Sequence, residues 1–324
     1  MKSGGKIMAN KNKKSSIVVI GGSNIDIQGS SFEKINISDS NVGKIRMGVG
    51  GVGRNIAVNI KKLTSEVEFI SVVGDDYYGE KILSDLKEKK FYTGNILKVK
   101  DNSSVYLSVL DNKNEMVVAV SDMDILKNIN VNFLKSKMDL IKNADILVLD
   151  TNLTEETIEF IANNKLENQK LIVDTVSVKK AQKIKNILDK IDFLKTNRLE
   201  LESVCDEKLK SMEEIKKCSL KLNSIGLKNI FVTLGPKGVI FSSLTEQFRI
   251  TNPKNIEVKD VTGAGDIFTA ALVFGVHKNL KSKILCKLAQ SASLLKITRD
   301  GTDFESFNKQ FLFEGLKKYH NINL

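Results

Sequence analysis

The stretch Asp260-Val-Thr-Gly-Ala-Gly-Asp266 constrains this chain more than any other, because an apolar run, Ile267, Phe268, Ala270, Ala271, Leu272, Val273 and Phe274, follows it directly. Two glycines around one alanine let a backbone turn tightly and approach a ligand. If a helix starts here, the amides of Gly263, Ala264, Gly265 and Asp266 are its unpaired donors, and the helix dipole favours an anion beside them. A carboxylate at such a seat repels a phosphate, so Asp266 needs a reason to be there. General-base work supplies one: it takes a proton from a hydroxyl that attacks a phosphoryl group. The competing reading is a Gly-rich turn with Asp266 as a simple helix-start residue.

The rest of the chain narrows the choice. Its 324 residues suit one large α/β domain, with or without a small appendage. No apolar run approaches the ~18 residues that suggest a membrane span. The first fifteen residues are basic and polar, without the apolar segment of a signal peptide, and read as a disordered leader. The net charge is +11, but the lysines are spread among acidic residues without a dense basic tract. That argues against nucleic-acid binding and leaves a field that helps recruit an anionic substrate. Cys205, Cys218 and Cys286 are odd in number and lack C-x-x-C spacing, which argues against a disulfide or a zinc site. A reduced, cytoplasmic setting is the default expectation.

Ile17-Val-Val-Ile-Gly21 reads as a buried strand. Asn24 and Asp26 lie just past it, where α/β sheets bind ligands, and alternate so that both can face one side. An amide and a carboxylate together suit sugar hydroxyls; an Asx turn is the local alternative. Residues 28–49 read as exposed strand-like pieces, Lys34–Ile37 and Lys44–Met47 among them. Gly48, Gly50 and Gly53 fit G-x-G-x-x-G with Asp75 further on, so a dinucleotide-binding dehydrogenase is a rival. Against it, that fingerprint belongs in the first strand–helix turn. Asn55 would sit in the first turn of the next helix, its amide free to reach a ligand. Segments 104–110 and 115–121 form a hairpin around Asp111-Asn-Lys-Asn114. With the pieces of 28–50 it could make a small sheet, a candidate lid that excludes water.

Strands and helices then alternate, as in a mostly parallel sheet covered on both faces. Several strands end in polar residues, and Asn152 and Asp174 are candidate substrate contacts there. Asn197 and Glu200 are three apart and could hold the water shell of a magnesium ion, or simply form a capping box. Thr233, Gly235 and Gly238 could lie along a nucleotide's phosphates, or only make a turn. No G-x-x-x-x-G-K-[ST] motif occurs, which excludes a P-loop kinase.

Gly50-Gly51 with Asn55, Asn197 with Glu200, Gly235 with Gly238, and Asp260-x-Thr262-Gly-Ala-Gly-Asp266 follow one another as in the PfkB-type, ribokinase-like carbohydrate kinases, which the chain resembles from about Ser16 onward. Within that family, segments 20–26, 39–43 followed by 50–55, 119–124 and 173–179 are most similar to the branch that phosphorylates pseudouridine. Val42 and Thr175 stand where proline is expected, which alters loop stiffness without removing a functional group.

The resemblance implies a ribokinase-like three-layer sandwich with a β-sheet lid, and ATP-dependent phosphorylation of a ribose 5′-hydroxyl. Asp266 would be the base, and the amides of Gly263, Ala264 and Gly265 the anion hole. Asn24, Asp26, Gly51 and Asn55 would grip the ribose. Thr233, Gly235 and Gly238 would line the ATP site, with Asn197 and Glu200 organising Mg2+ and phosphate. Asp260 and Thr262 could contribute to a monovalent-cation (K+) site. The expected partner is a small nucleoside or sugar, with a homodimer through the lid open. The alternatives are a kinase for ribose, inosine, adenosine or a fructose derivative, and a non-catalytic nucleoside sensor, against which Asp266 speaks.

Overall fold

The computed structural model describes residues 16–299 and 305–324; the expected leader, residues 1–15, lies outside them. Among the described residues there are thirteen strands: β1 (Ile17–Ile20), β2 (Asn24–Ser31), β3 (Gly43–Gly50), β4 (Val67–Gly74), β5 (Ile96–Val99), β6 (Val105–Leu110), β7 (Met116–Asp122), β8 (Ile146–Asp150), β9 (Lys170–Asp174), β10 (Phe193–Asn197), β11 (Asn229–Thr233), β12 (Val239–Ser242) and β13 (Gln247–Ile250). Nine of them form one sheet in the order β13-β12-β11-β10-β9-β8-β1-β4-β5, and four form a second in the order β3-β2-β6-β7. From β5 to β11 every pairing in the large sheet is parallel; β12 and β13 add an antiparallel edge.

Four consecutive apolar residues build β1, and all are buried because both faces of the sheet are covered. Ile17 and Val19 join one core, which includes the helices Val52–Leu63, Ala264–His277 and Ser282–Ile297. Val18 and Ile20 join the other, beneath the helices Glu155–Asn164 and Met212–Ser224. This is the expected three-layer sandwich. Helix Ala264–His277 is apolar nearly all round, and buries every residue from Ile267 to Val276, as a central helix must.

Parallel register puts the functional ends in one row. Asp150 pairs with Asp174, Asp174 with Lys195, and Asn197 with Thr233. The small sheet stands beside this row, because β2 leaves the end of β1 and β3 returns at Gly50 opposite Asn24. Gly51 makes that return possible. It has φ of 100°, and a Cβ there would lie 2.6 Å from the Gly22 carbonyl oxygen and from Ser23 Cα.

The structure corrects several expectations. Lys34–Ile37 is not a strand: Asn41 accepts from the Asn36 amide at 2.7 Å and donates to its carbonyl at 2.9 Å, and such side-chain bonds compete with a ladder. The edge strands β5 and β13, four residues each, are too short for the sequence pattern to single out. Gly48 and Gly50 lie in β3 of the small sheet, not in a strand–helix turn of the large one, which removes the dehydrogenase reading. Cys205 and Cys218 are joined in a disulfide, contrary to the sequence expectation. Helices Arg198–Cys205 and Met212–Ser224 bring their Cα atoms to 6.7 Å, a proximity that spacing alone does not reveal. Among the described residues no helix is long and apolar enough to cross a membrane.

Gly51→Ala should lose about 2 kcal/mol or more of stability, because it combines a strained φ with backbone overlap. Urea unfolding of the two proteins measures this; an unchanged midpoint would contradict the tight return drawn here.

Candidate active site

Helix Ala264–His277 begins at Gly263, which caps it in the left-handed conformation with φ of 75°. No side chain caps the helix; of its first amides, that of Ala264 donates to the Val261 carbonyl at 3.1 Å. Asp266 is in the first turn. The Asn55 amide nitrogen donates to its carboxylate at 2.8 Å. Asn55 is itself oriented: Arg54 donates to its side-chain oxygen at 3.1 Å, and the same guanidinium is clamped by Asp85 at 2.5 Å. Arg54 is 3% exposed, so this pair is fixed in place.

Two further groups sit under the helix start. Asp174 is buried, accepts from Thr269 at 2.7 Å, and faces the Lys195 ammonium at 3.2 Å. A Cβ on Gly265 would lie 2.8 Å from that ammonium nitrogen, so a positive charge rests directly against the first turn of the helix. Burial opposes the charge on Lys195, but Asp174, Glu200 and Asp266 overcome it and raise its pKa. Removal from water pushes the Asp266 carboxyl up to about 7, and the Asp174 carboxylate adds to this. The Asn55 bond and the Lys195 charge pull the other way. The result is a carboxylate poised for proton exchange near neutrality.

On the β1 side, the Asn24 amide donates to Asp26 at 2.6 Å. Burial raises the Asp26 pKa; the Asn24 bond and the Arg54 charge oppose the rise. A Cβ on Gly50 would meet the Asp26 carboxylate at 2.0 Å, and one on Gly51 would meet Asn24 Oδ1 at 3.0 Å. Asn152 is next to Gly22, and accepts from Lys180 at 2.5 Å. Asn24, Asp26, Gly51, Asn55 and Asn152 therefore gather on one side of Asp266.

On the other side, Asn197 caps helix Arg198–Cys205 in a complete capping box with Glu200. Glu200 accepts from the Asn197 amide hydrogen at 2.9 Å, the Asn197 side chain at 2.6 Å and the Thr175 hydroxyl at 2.5 Å. Thr233 is the register partner of Asn197, and Gly235 and Gly238 follow in the turn to β12. Asp260 accepts from the Thr262 amide at 2.8 Å. Asp174 is the one expected substrate contact that lies beneath the site: at 1% exposure, its oxygens face Thr269 and Lys195. Sequence reasoning missed Lys195, Arg54 and Asp150, the last of which accepts from the Gly22 amide at 2.8 Å and adds its charge to the rise of the Asp266 pKa. Lys195 gave little signal, because in Phe193-Leu-Lys-Thr-Asn197 it is one of three polar residues at the end of the strand.

Comparison with known proteins supplies an independent line. The family model of the pfkB family carbohydrate kinases matches residues 14–309. The chain is 38% identical over 261 residues to the pseudouridine kinase of Escherichia coli K12, covering 80% of this chain and 83% of that one. It is 34% identical over 259 residues to an uncharacterized sugar kinase of the same bacterium, with coverage of 79% and 71%. The solved structure of a ribokinase from Thermotoga maritima superposes with a TM-score of 0.83 at 22% identity, covering 94% of this chain and 99% of that chain, which establishes a shared fold.

A carbon-13 titration of the Asp266 carboxyl should give a midpoint of about 7, moving higher in Asn55→Ala because the bond that stabilises the charged form is gone. A midpoint in the ordinary aspartate range would contradict the crowding described.

Proposed function

Because the chain belongs to the pfkB family of carbohydrate kinases, we propose that it transfers the γ-phosphoryl group of ATP to the 5′-hydroxyl of a nucleoside, with pseudouridine as the substrate. The broader activity follows from the family: the protein is a ribokinase-like phosphotransferase with an alcohol group as acceptor. One observation carries the site assignment. The Asn55–Asp266 bond joins the polar group around Asn24 to the start of a helix whose amides lack a side-chain cap. The similarity to pseudouridine kinase over 80% of the chain supports the substrate.

In the reaction proposed, Asp266 accepts the proton of the 5′-hydroxyl as its oxygen bonds to the γ-phosphorus. The bond from that phosphorus to the β,γ-bridging oxygen breaks, and ADP carries the electron pair away. Amides of Gly263, Ala264 and Gly265 hold the phosphoryl oxygens. By analogy with oxyanion donors, each contributes ~3 kcal/mol. Lys195 adds positive charge beneath them, and Asp174 positions Lys195. Asn24, Asp26, Gly51, Asn55 and Asn152 hold the nucleoside; Thr233, Gly235 and Gly238 line the nucleotide.

Mg2+ fits here only through water. Among the described residues no cluster of three acidic, His or Cys side chains could hold a metal. Glu200 has two oxygens with about four lone-pair sites, of which three protein donors use three. Asn197 and Glu200 would hold a hydrated Mg2+ through its waters, and the ion would neutralise charge on the nucleotide's phosphates.

The small sheet serves as the lid. Its strand alternation puts Met47, Ile27, Leu107 and Val120 in one row across β3, β2, β6 and β7. Met47, Leu107 and Val120 are exposed, as are Ile45 and Val118 beside them. An apolar sheet face of this kind suits a second copy of the chain, so we read the protein as a homodimer through the lid.

Asp266→Asn should leave ATP binding nearly intact and cut turnover by ~10²-fold or more; near-wild-type turnover would remove the base. Lys195→Met should also slow turnover, by on the order of 10²-fold, and shift the rising limb of the pH–rate profile upward, because Lys195 favours the charged Asp266. A loss without that shift would make Lys195 merely structural. A coupled ADP-release screen over pseudouridine, uridine, inosine, adenosine, ribose and fructose 6-phosphate tests the substrate. Preference for a free sugar would overturn the nucleoside and spare the kinase.

A further inference from the structure

The segment that delivers the helix start is tied to the end of helix Ser282–Ile297 at several points. The Ser293 hydroxyl donates to the Ala264 carbonyl at 2.7 Å. The amides of Lys259 and Asp260 both donate to the Ile297 carbonyl, at 2.7 and 3.3 Å. Between these ties lies the ammonium of Lys296. This side chain is 1% exposed. Its nitrogen donates to the main-chain carbonyls of Asp260 at 3.2 Å and Arg299 at 3.4 Å, with the Asp260 carboxylate at 3.6 Å.

Two carbonyls and a carboxylate around a buried positive charge are what a monovalent cation seeks in a protein. Asp260 and Thr262 were the residues for which such an ion was expected. The residues present do not fit it: both the carbonyl and the carboxylate of Asp260, one of the two expected ligands, already face an ammonium, and a second cation beside them would be repelled at close range. We propose that Lys296 is a built-in monovalent cation, a positioning residue that holds the Asp260–Gly263 segment, and through it the amides of the anion hole, without any dissolved potassium. The carboxylate of Asp260 passes the effect on, since its other oxygen accepts the Thr262 amide. Location at the last turn of a helix adds a second reason for a cation here, because the dipole's negative end lies there.

The catalytic part of this inference rests on the kinase reading; the ion-binding part does not, and the test separates them. Turnover and melting temperature are measured for the wild-type protein in potassium, sodium or choline chloride at matched ionic strength. Both should be nearly the same in all three, well short of the roughly 5- to 150-fold that a coupled effector site gives. Lys296→Ala should lose turnover in choline, by on the order of 10²-fold for a misplaced anion hole. Potassium or ammonium should restore it in part. The same ions should raise the melting temperature of Lys296→Ala, and not of wild type, because a ligand that binds only the folded state stabilises it.

Strong potassium activation of wild type would overturn the inference. So would a folded Lys296→Ala that is fully active in choline, or one that no small cation rescues in rate or melting temperature. If the alanine variant does not fold, Lys296→Arg keeps the charge and must remain indifferent to potassium; acquired potassium dependence there would overturn it too. Should no acceptor be phosphorylated by the wild type, the functional reading fails while the melting measurements still decide the cation.

Discussion

A single hydrogen bond from Asn55 to Asp266, 2.8 Å long, closes the structure around its reactive centre. It joins residues 211 apart in the chain and spans two helices that pack against each other in the same core. Each partner is held from behind. Asn55 is fixed by Arg54 and Asp85, and Asp266 by its place in the first turn of an almost wholly buried helix. Moving either helix would break the bond and leave a crowded carboxylate without its stabilising donor, at the cost of an unsatisfied charge.

That arrangement is unfavourable in isolation. The charges of Asp150 and Asp174 both raise the Asp266 pKa; Lys195 is the cation beside Asp174 and Asp266, and Lys180 the one near Asp150. Burying such a set costs desolvation that the pairings only partly offset. A phosphoryl-transfer centre gives it a use. The same crowding that destabilises the charged Asp266 makes it a competent base near neutral pH, and Lys195 places the opposite charge where a phosphoryl group would sit. The apolar layers on both faces of the sheet supply the stability that this row of strand ends gives up.

Much of this was readable in the sequence because local chemistry and global position agree. The Gly-Ala-Gly-Asp turn, the apolar run after it and the polar strand ends each have one natural place in a parallel sheet. What was not readable depends on contacts made across the fold. Lys195 and Lys296 look like two more lysines in a lysine-rich chain, and only their burial among carboxylates and carbonyls distinguishes them. Cys205 and Cys218 meet because two helices fold back on one another. Lys34–Ile37 alternates like a strand, yet Asn41 claims the backbone groups a neighbour would need. The glycine fingerprint at Gly48, Gly50 and Gly53 misleads because a motif carries meaning only in its proper turn.

The central claim is spatial: one carboxylate and the adjoining helix-start amides lie between a nucleoside on the Asn24 side and a nucleotide on the Asn197 side. A crystal structure of the protein with ADP, pseudouridine and a planar metal-fluoride mimic of the transferring group tests this most directly. The account predicts the mimic against the amides of Gly263 to Gly265, with the 5′-oxygen within hydrogen-bond reach of Asp266. A mimic bound away from that helix start, or a nucleoside whose 5′-oxygen faces another residue, would contradict it.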